Sequence, residues 1–141
     1  MKKSNKITNK ASKAYLKKRT DISQENLYSQ EIYLLDTDRI IYVYKRNTKR
    51  DISEITNVSY EIRIKAEWIT IVRYDSSHGY LHRHLAISIN NPSDTPSTVG
   101  VIRKGSHQKW LTWAINDIKK RYLDYKKGFL RRSKIKDVDN G

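Results

Sequence analysis

The sequence contains no cysteine, only two prolines and five glycines, and a single phenylalanine, and each scarcity closes off a class of protein. Without cysteine there are neither disulfides nor thiolate metal ligands. Nothing in the composition asks for an oxidising compartment, so an intracellular, cytoplasmic protein is expected. Glycines this sparse, none in a phosphate-cradling spacing, argue against kinase, dinucleotide-binding and P-loop readings. The apolar runs are only a few residues long, too short for a transmembrane helix. The basic start MKKSNKITNKASKAYLKKR is not followed by the apolar segment of a secretory signal. A hydrophobic content of 37% in 141 residues allows one modest core, hence one domain.

What is abundant is positive charge, a formal net of +14, and it is unevenly placed. Residues 1–20 hold eight Lys/Arg and no acid, residues 119–136 hold nine against Asp124 alone, and residues 21–118 are balanced. Basic arms attract polyanions by releasing condensed counterions, without reading sequence. Nucleic acid is therefore the expected partner, RNA ahead of DNA. Lys2, Lys3, Lys17, Lys18, Arg19, Lys126, Lys127, Arg131 and Arg132 are the candidate contacts. The plainer alternative is a pair of solvated tails. A membrane surface fits poorly, because Ile7, Ala11, Ala14, Tyr15 and Leu16 make a thin stripe without a Trp or Phe anchor. The expected division is a basic arm over 1–24, a domain over 25–130 and a basic tail over 131–141.

From Tyr28 onward the pattern becomes β-prone. EIYLLD and RIIYVYKR suit two strands joined by a tight turn at Asp36, Thr37 and Asp38. KRNTKRDISEITN reads as a loop exposing Lys45, Arg46, Lys49 and Arg50. Val58, Tyr60, Ile62, Ile64 and Ala66 then alternate with polar residues, as a half-buried strand does. WITIVRY and LHRHLAISI are two further strands, with DSSHGY between them and Gly79 supplying the permissive backbone of the turn. NNPSDTPST holds both prolines and reads as an exposed loop, while VGVIRKG is either a short edge strand or a lead into the helix. Residues 106–127 carry the helical spacing, with Leu111, Ala114, Ile115, Ile118, Tyr122 and Tyr125 on one face. Ser106 can cap this helix and Gly128 can end it. Trp110 and Trp113 are expected to pack on the sheet rather than stack on bases. The predicted fold is α+β, an antiparallel meander of about five strands with one C-terminal helix on a face.

Residues 73–84, RYDSSHGYLHRH, gather three of the four histidines. On an extended strand His82 and His84 share a face at about 6.5 to 7 Å between Cα atoms, close enough for both rings to reach one phosphate, water or metal ion. His78 in the turn and Asp75 at the end of the preceding strand can join them. Arg73 and Arg83 can hold a phosphate, although Arg83 alternates to the opposite face unless the strand bulges. Three readings stand side by side. In one, His82 and His84 are acid and base in RNA cleavage with Arg73 on the phosphate. In another, His78, His82, His84 and Asp75 ligate a divalent metal. In the third, the histidines are polar residues on a solvent face. The sequence calls for no organic cofactor.

The run RYDSSHGYLHRH followed by WLTWAINDIKKRYLDYKKGFL resembles a family of small, mostly uncharacterised prokaryotic proteins. In that family an RYD-x2-HG-x2-HRD motif precedes a helix of the type A-x2-DL-x3-W-x2-Y. The likeness covers roughly residues 66–132, with Arg73, Tyr74, Asp75, His78, Gly79, His82 and Arg83 on the pattern and His84 in place of the acid. The RYD and histidine-rich strand are also similar, more distantly, to the TumE-type toxins of toxin–antitoxin modules. That resemblance implies a small RNA-directed toxin with a cognate antitoxin. The leading expectation is thus a toxin-like ribonuclease acting through Arg73, Asp75, His78, His82, Arg83 and His84. The alternatives are a non-enzymatic nucleic-acid-binding module and a metal-dependent hydrolase.

Overall fold

The computed structural model describes residues 26–77, 79–98 and 105–135. The candidate contacts Lys2, Lys3, Lys17, Lys18 and Arg19, together with His78 and most of VGVIRKG, lie outside them. Six strands follow in chain order: β1 (Asn26–Leu35), β2 (Asp38–Arg46), β3 (Ile52–Ile64), β4 (Glu67–Asp75), β5 (His82–Ser88) and β6 (Asn91–Thr98). Each pairs antiparallel with the next, giving one open sheet in the order β1-β2-β3-β4-β5-β6. Among the described residues one long helix, α1 (His107–Ser133), packs across β3, β4 and β5. The α+β class and the meander follow the predicted pattern.

The alternation in β3 does what its period demands, since Val58, Tyr60 and Ile62 are fully buried under α1. They meet Val72 and Tyr74 of β4, and from above Trp110, Leu111, Ala114, Ile118 and Phe129 of α1. Tyr60 stands edge-on to Tyr122 and Tyr74 edge-on to Trp113. The two tryptophans of the helix are core residues, as their spacing suggested. Ala66 leaves the alternation, because it shares with Lys65 the positive φ of a two-residue turn between Ile64 and Glu67.

Three expectations are corrected. The prolines do not make 91–98 a loop: the segment is the edge strand β6, where a missing N–H can face solvent instead of breaking a ladder. The loop after β2 is only residues 47–51, since Lys45 and Arg46 end β2 and Ile52 begins β3. It is closed by the Asn47 side chain, which accepts from the N–H of Lys49 at 2.9 Å and of Asp51 at 3.1 Å. Finally, Gly128 does not end the helix. Ser106 caps the start by accepting from the Lys109 N–H, but α1 continues to Ser133, where Lys134 turns left-handed. Gly128 lies inside, and a Cβ there would meet Nη1 of Arg132 at 3.0 Å. Its bare backbone leaves room for the Arg132 guanidinium, which donates to the carbonyls of Ile87 at 2.7 Å and Ala86 at 3.3 Å.

Two carboxylates are buried between sheet and helix. Asp38 is fully buried and accepts from Thr37 Oγ1 at 2.7 Å, Tyr60 Oη at 2.5 Å and Lys126 Nζ at 3.0 Å. Asp117 accepts from the hydroxyls of Tyr74 and Tyr125, while Arg121 pairs with its other oxygen at 3.0 Å. Lys126, a candidate nucleic-acid contact by sequence, is thus turned inward onto Asp38. Removing it should strand a buried charge, so Lys126→Ala is expected to cost about 3 kcal/mol. Lys127→Ala, at an exposed position, should stay within about 0.5 kcal/mol. Urea denaturation of the two variants checks this, and equal stabilities would remove the Lys126–Asp38 pair from the structural account.

Candidate active site on the β4–β5 hairpin

Four of the predicted residues share one face of this hairpin. Arg73 lies opposite His84 and Asp75 opposite His82 in an uninterrupted register. Between them in sequence, Tyr74 lies opposite Arg83 and points the other way, its hydroxyl bonded to Asp117 of α1. Arg73, Asp75, His82 and His84 therefore occupy the sheet face turned away from the helix. No bulge rescues Arg83, whose Nη1 donates to Tyr125 Oη at 3.2 Å on the helix side. Arg83 belongs to the buried layer beneath the site and not to the site.

Asp75 is the hub. Its Oδ2 accepts from Arg73 Nη1 at 2.7 Å and lies 3.5 Å from His84 Nε2. Oδ1 accepts from the Ser77 hydroxyl at 3.0 Å and its N–H at 3.3 Å. Burial alone would raise the carboxyl pKa, but the two bonds from Ser77 and the neighbouring Arg73 and His84 outweigh it and hold Asp75 below its ordinary value. The turn is fixed from below by Ser76, whose hydroxyl accepts from the Ile55 N–H at 2.9 Å and whose N–H donates to the Ile55 carbonyl at 3.0 Å. Arg73 keeps 38% of its side chain exposed, so its guanidinium can hold Asp75 and still meet a ligand anion. The His82 ring lies 4.4 Å from that of Tyr80, which is itself exposed.

The arrangement offers an imidazole beside a carboxylate, a second imidazole on the same strand and face, and a guanidinium across from them. Among the described residues no three His, Asp or Glu side chains converge as a metal site would require. The sequence reading did not single out Ser76, Ser77 or Tyr80, whose roles depend on the turn's conformation. Nor did it join Tyr74, read only as part of the motif, and Tyr125, read only as part of the helix's apolar face, with Asp117 into the buried polar layer under the hairpin. The signal for Asp117 was available, since an acid stepping onto the apolar face of an amphipathic helix needs a buried partner.

Among the described residues no helix is long and apolar enough to cross a membrane. A family model described as a domain of unknown function (DUF7718) matches residues 8–135. No curated protein and no solved structure matches the chain.

Asp75 makes a pH signature measurable. Its folded-state pKa lies below the unfolded value, so its contribution to stability is present above about pH 4 and is lost as pH falls through the folded pKa. Asp75→Asn should be less stable than wild type at pH 7, and the gap should narrow below about pH 4. Denaturation curves at neutral and acid pH test this. A gap that stays constant would mean that the Asp75 charge is not what its partners hold.

Proposed function

Since the chain belongs to this domain family of unassigned function, we propose from the site itself that it is a metal-independent, toxin-like ribonuclease acting through the outer face of the β4–β5 hairpin. The observation that carries the reading is Asp75 lying within 3.5 Å of His84 Nε2 while bound to Arg73. A carboxylate at Nε2 favours the tautomer protonated there, leaving Nδ1 to accept a proton, and stabilises the imidazolium that results. His84 is the general base that takes the proton of a ribose 2′-hydroxyl. As the new P–O2′ bond forms and the P–O5′ bond breaks, His82 returns a proton to the departing 5′-oxygen. Arg73 faces the phosphate and offsets the charge that grows on its oxygens. The products are a 2′,3′-cyclic phosphate and a 5′-hydroxyl.

This chemistry agrees with the resemblance to TumE-type toxins, which rests on the same RYD and histidine strand and implies a cognate antitoxin. A second reading has its own observation. Asp75 is also tied to the hydroxyl and N–H of Ser77, as the anchor of a structural turn would be. In that case the hairpin is scaffold in a binding module.

The two readings separate in one set of measurements. His82 and His84 lie away from the helix-covered core, so alanine at either position should leave the fold intact, with His84→Ala melting a few degrees lower because it gives up its contact with Asp75. Cleavage of a mixed RNA pool should fall about 10²- to 10⁴-fold with either variant, and wild-type cleavage should survive EDTA. Undiminished cutting by His84→Ala would end the catalytic assignment, and loss of cutting in EDTA would transfer it to a metal. A wild type that binds RNA and cuts none would leave the scaffold reading.

A further inference from the structure

The solvent side of α1 carries a line of cations that the structure does not use internally. Lys109, Lys120, Lys127 and Arg131 are all exposed, and none pairs with an acid among the described residues. At roughly 3.6 residues per turn they fall within about 40° of arc, and at roughly 1.5 Å per residue they extend over about 33 Å. The contrast with their neighbours is sharp: Arg121 is tied to Asp117, Lys126 to Asp38 and Arg132 to the carbonyls of β5. Between the four lie Asn116 and Leu123, both exposed, with Asp124 as the one flanking acid. The N-terminal half of the line was not among the candidate contacts read from sequence, which within the helix began only at Lys126.

We infer that this face of α1 is a docking surface for the phosphate backbone of a nucleic-acid duplex. It rests on the nucleic-acid partner of the proposed function, but not on cleavage. A straight, rigid row of cations matches a duplex, whose phosphates lie at fixed positions along a stiff axis. Single strands are held instead by grooves in which bases stack on aromatic rings, and the one aromatic residue in this arc, Trp113, is partly buried and spends its ring on the core, edge-on to Tyr74. An anionic membrane would need an apolar face, and Leu123 stands alone. Lysines and an arginine on phosphates position a duplex without reading its sequence.

The surface also lies on the far side of the molecule from the histidines. The helix itself, about 10 to 12 Å across, and the sheet stand between them. A duplex docked on α1 does not reach Arg73 and His84, so the hairpin face is left for an unpaired strand. Exposed Tyr80 beside His82 offers such a strand a ring to stack on. The substrate class this division fits is an RNA with both a stem and a single-stranded segment.

The test uses the full chain and a variant with Lys109, Lys120, Lys127 and Arg131 all changed to Gln, which keeps helix propensity. Affinity is measured against salt for RNA and DNA duplexes of about 20 base pairs and for a single-stranded RNA of the same sequence. On a duplex, the slope of log K against log salt should become shallower by about 3 to 4 in the variant, with the single strand much less affected. A companion with Arg at the three lysines should retain the wild-type slope. A change on both duplexes supports backbone docking in general, and a change on RNA alone supports docking of duplex RNA. An unchanged duplex slope overturns the inference, as does an equal loss on single-stranded RNA. A loss confined to phosphatidylserine–phosphatidylcholine vesicles also overturns it, in favour of a membrane. Wild-type cleavage is assayed separately on a short single-stranded oligonucleotide. Failure there sinks the histidine chemistry, whereas the slopes alone decide the helix surface.

Discussion

Everything in this molecule hangs on how two carboxylates are satisfied between a sheet and a helix. A charge taken out of water is costly unless its oxygens are filled by donors, and the donors come from both layers. At Asp38 the sheet supplies the carboxylate and the Tyr60 hydroxyl, and the helix supplies Lys126. At Asp117 the roles are reversed, with the acid on the helix and Tyr74 on the sheet. Burial, and then the bond to each carboxylate, pushes both tyrosine hydroxyls far above their ordinary pKa, so they remain donors at any physiological pH. An apolar interface of the same area would tolerate a helix that slides or rotates. Two polar contacts well separated along one helix do not, because a small displacement leaves a buried oxygen unfilled.

That fixed geometry reaches the candidate site through strand alternation. Tyr74 sits between Arg73 and Asp75, and Arg83 between His82 and His84, so the residues gripping the helix are interleaved with those that face outward. Tyr125 bonds Asp117 and accepts from Arg83 of β5, while Tyr74 of β4 donates to the same Asp117, which joins the helix to both strands at one point. The outer face thereby inherits a set register between Arg73 and His84, with Asp75 the outward-facing residue that ties the two together. The turn is secured separately, by Ser76 on Ile55 and by Ser77 on Asp75. Preorganisation of this kind is what a proton-transfer pair needs, since its efficiency depends on position as much as on pKa.

How far the sequence showed this depends on whether a feature is periodic or relational. The part of β3 from Val58 to Ile64, the helix and its N-cap, and the shared face of His82 and His84 are periodic and were legible, whereas 52–57, without that clean alternation, read as loop. The identity of β6 was not, because proline argues against a strand unless the segment is known to lie at an edge, and edge position is a property of the whole sheet. The end of α1 was misplaced for a related reason. Glycine at 128 looks like a stop, but it serves a guanidinium four residues on that bonds a strand about 45 residues back. Arg83 matched a motif, yet alternation alone already placed it on the wrong face, and the unbroken register makes that decisive.

The hardest thing to read from composition was which charges are free. Residues 119–136 carry nine Lys/Arg, and a count of formal charge treats them alike. Folding sorts them. Lys126 is consumed by a carboxylate that the sequence separates from it by 88 positions, Arg121 by one four residues earlier, and Arg132 by backbone carbonyls. Lys127 and Arg131 stay in water, aligned with Lys109 and Lys120 from the helix's earlier turns. A charge facing solvent attracts a distant polyanion, whereas one paired with an acid, as Lys126 and Arg121 are, has its field offset close to the protein. The basic character of the helix is therefore not a property of its C-terminal run. Most of its free charge belongs to one line of its surface, with Lys119 exposed to one side of it, and that line is drawn by the same helical period that placed Leu111, Ala114 and Ile118 on the opposite side.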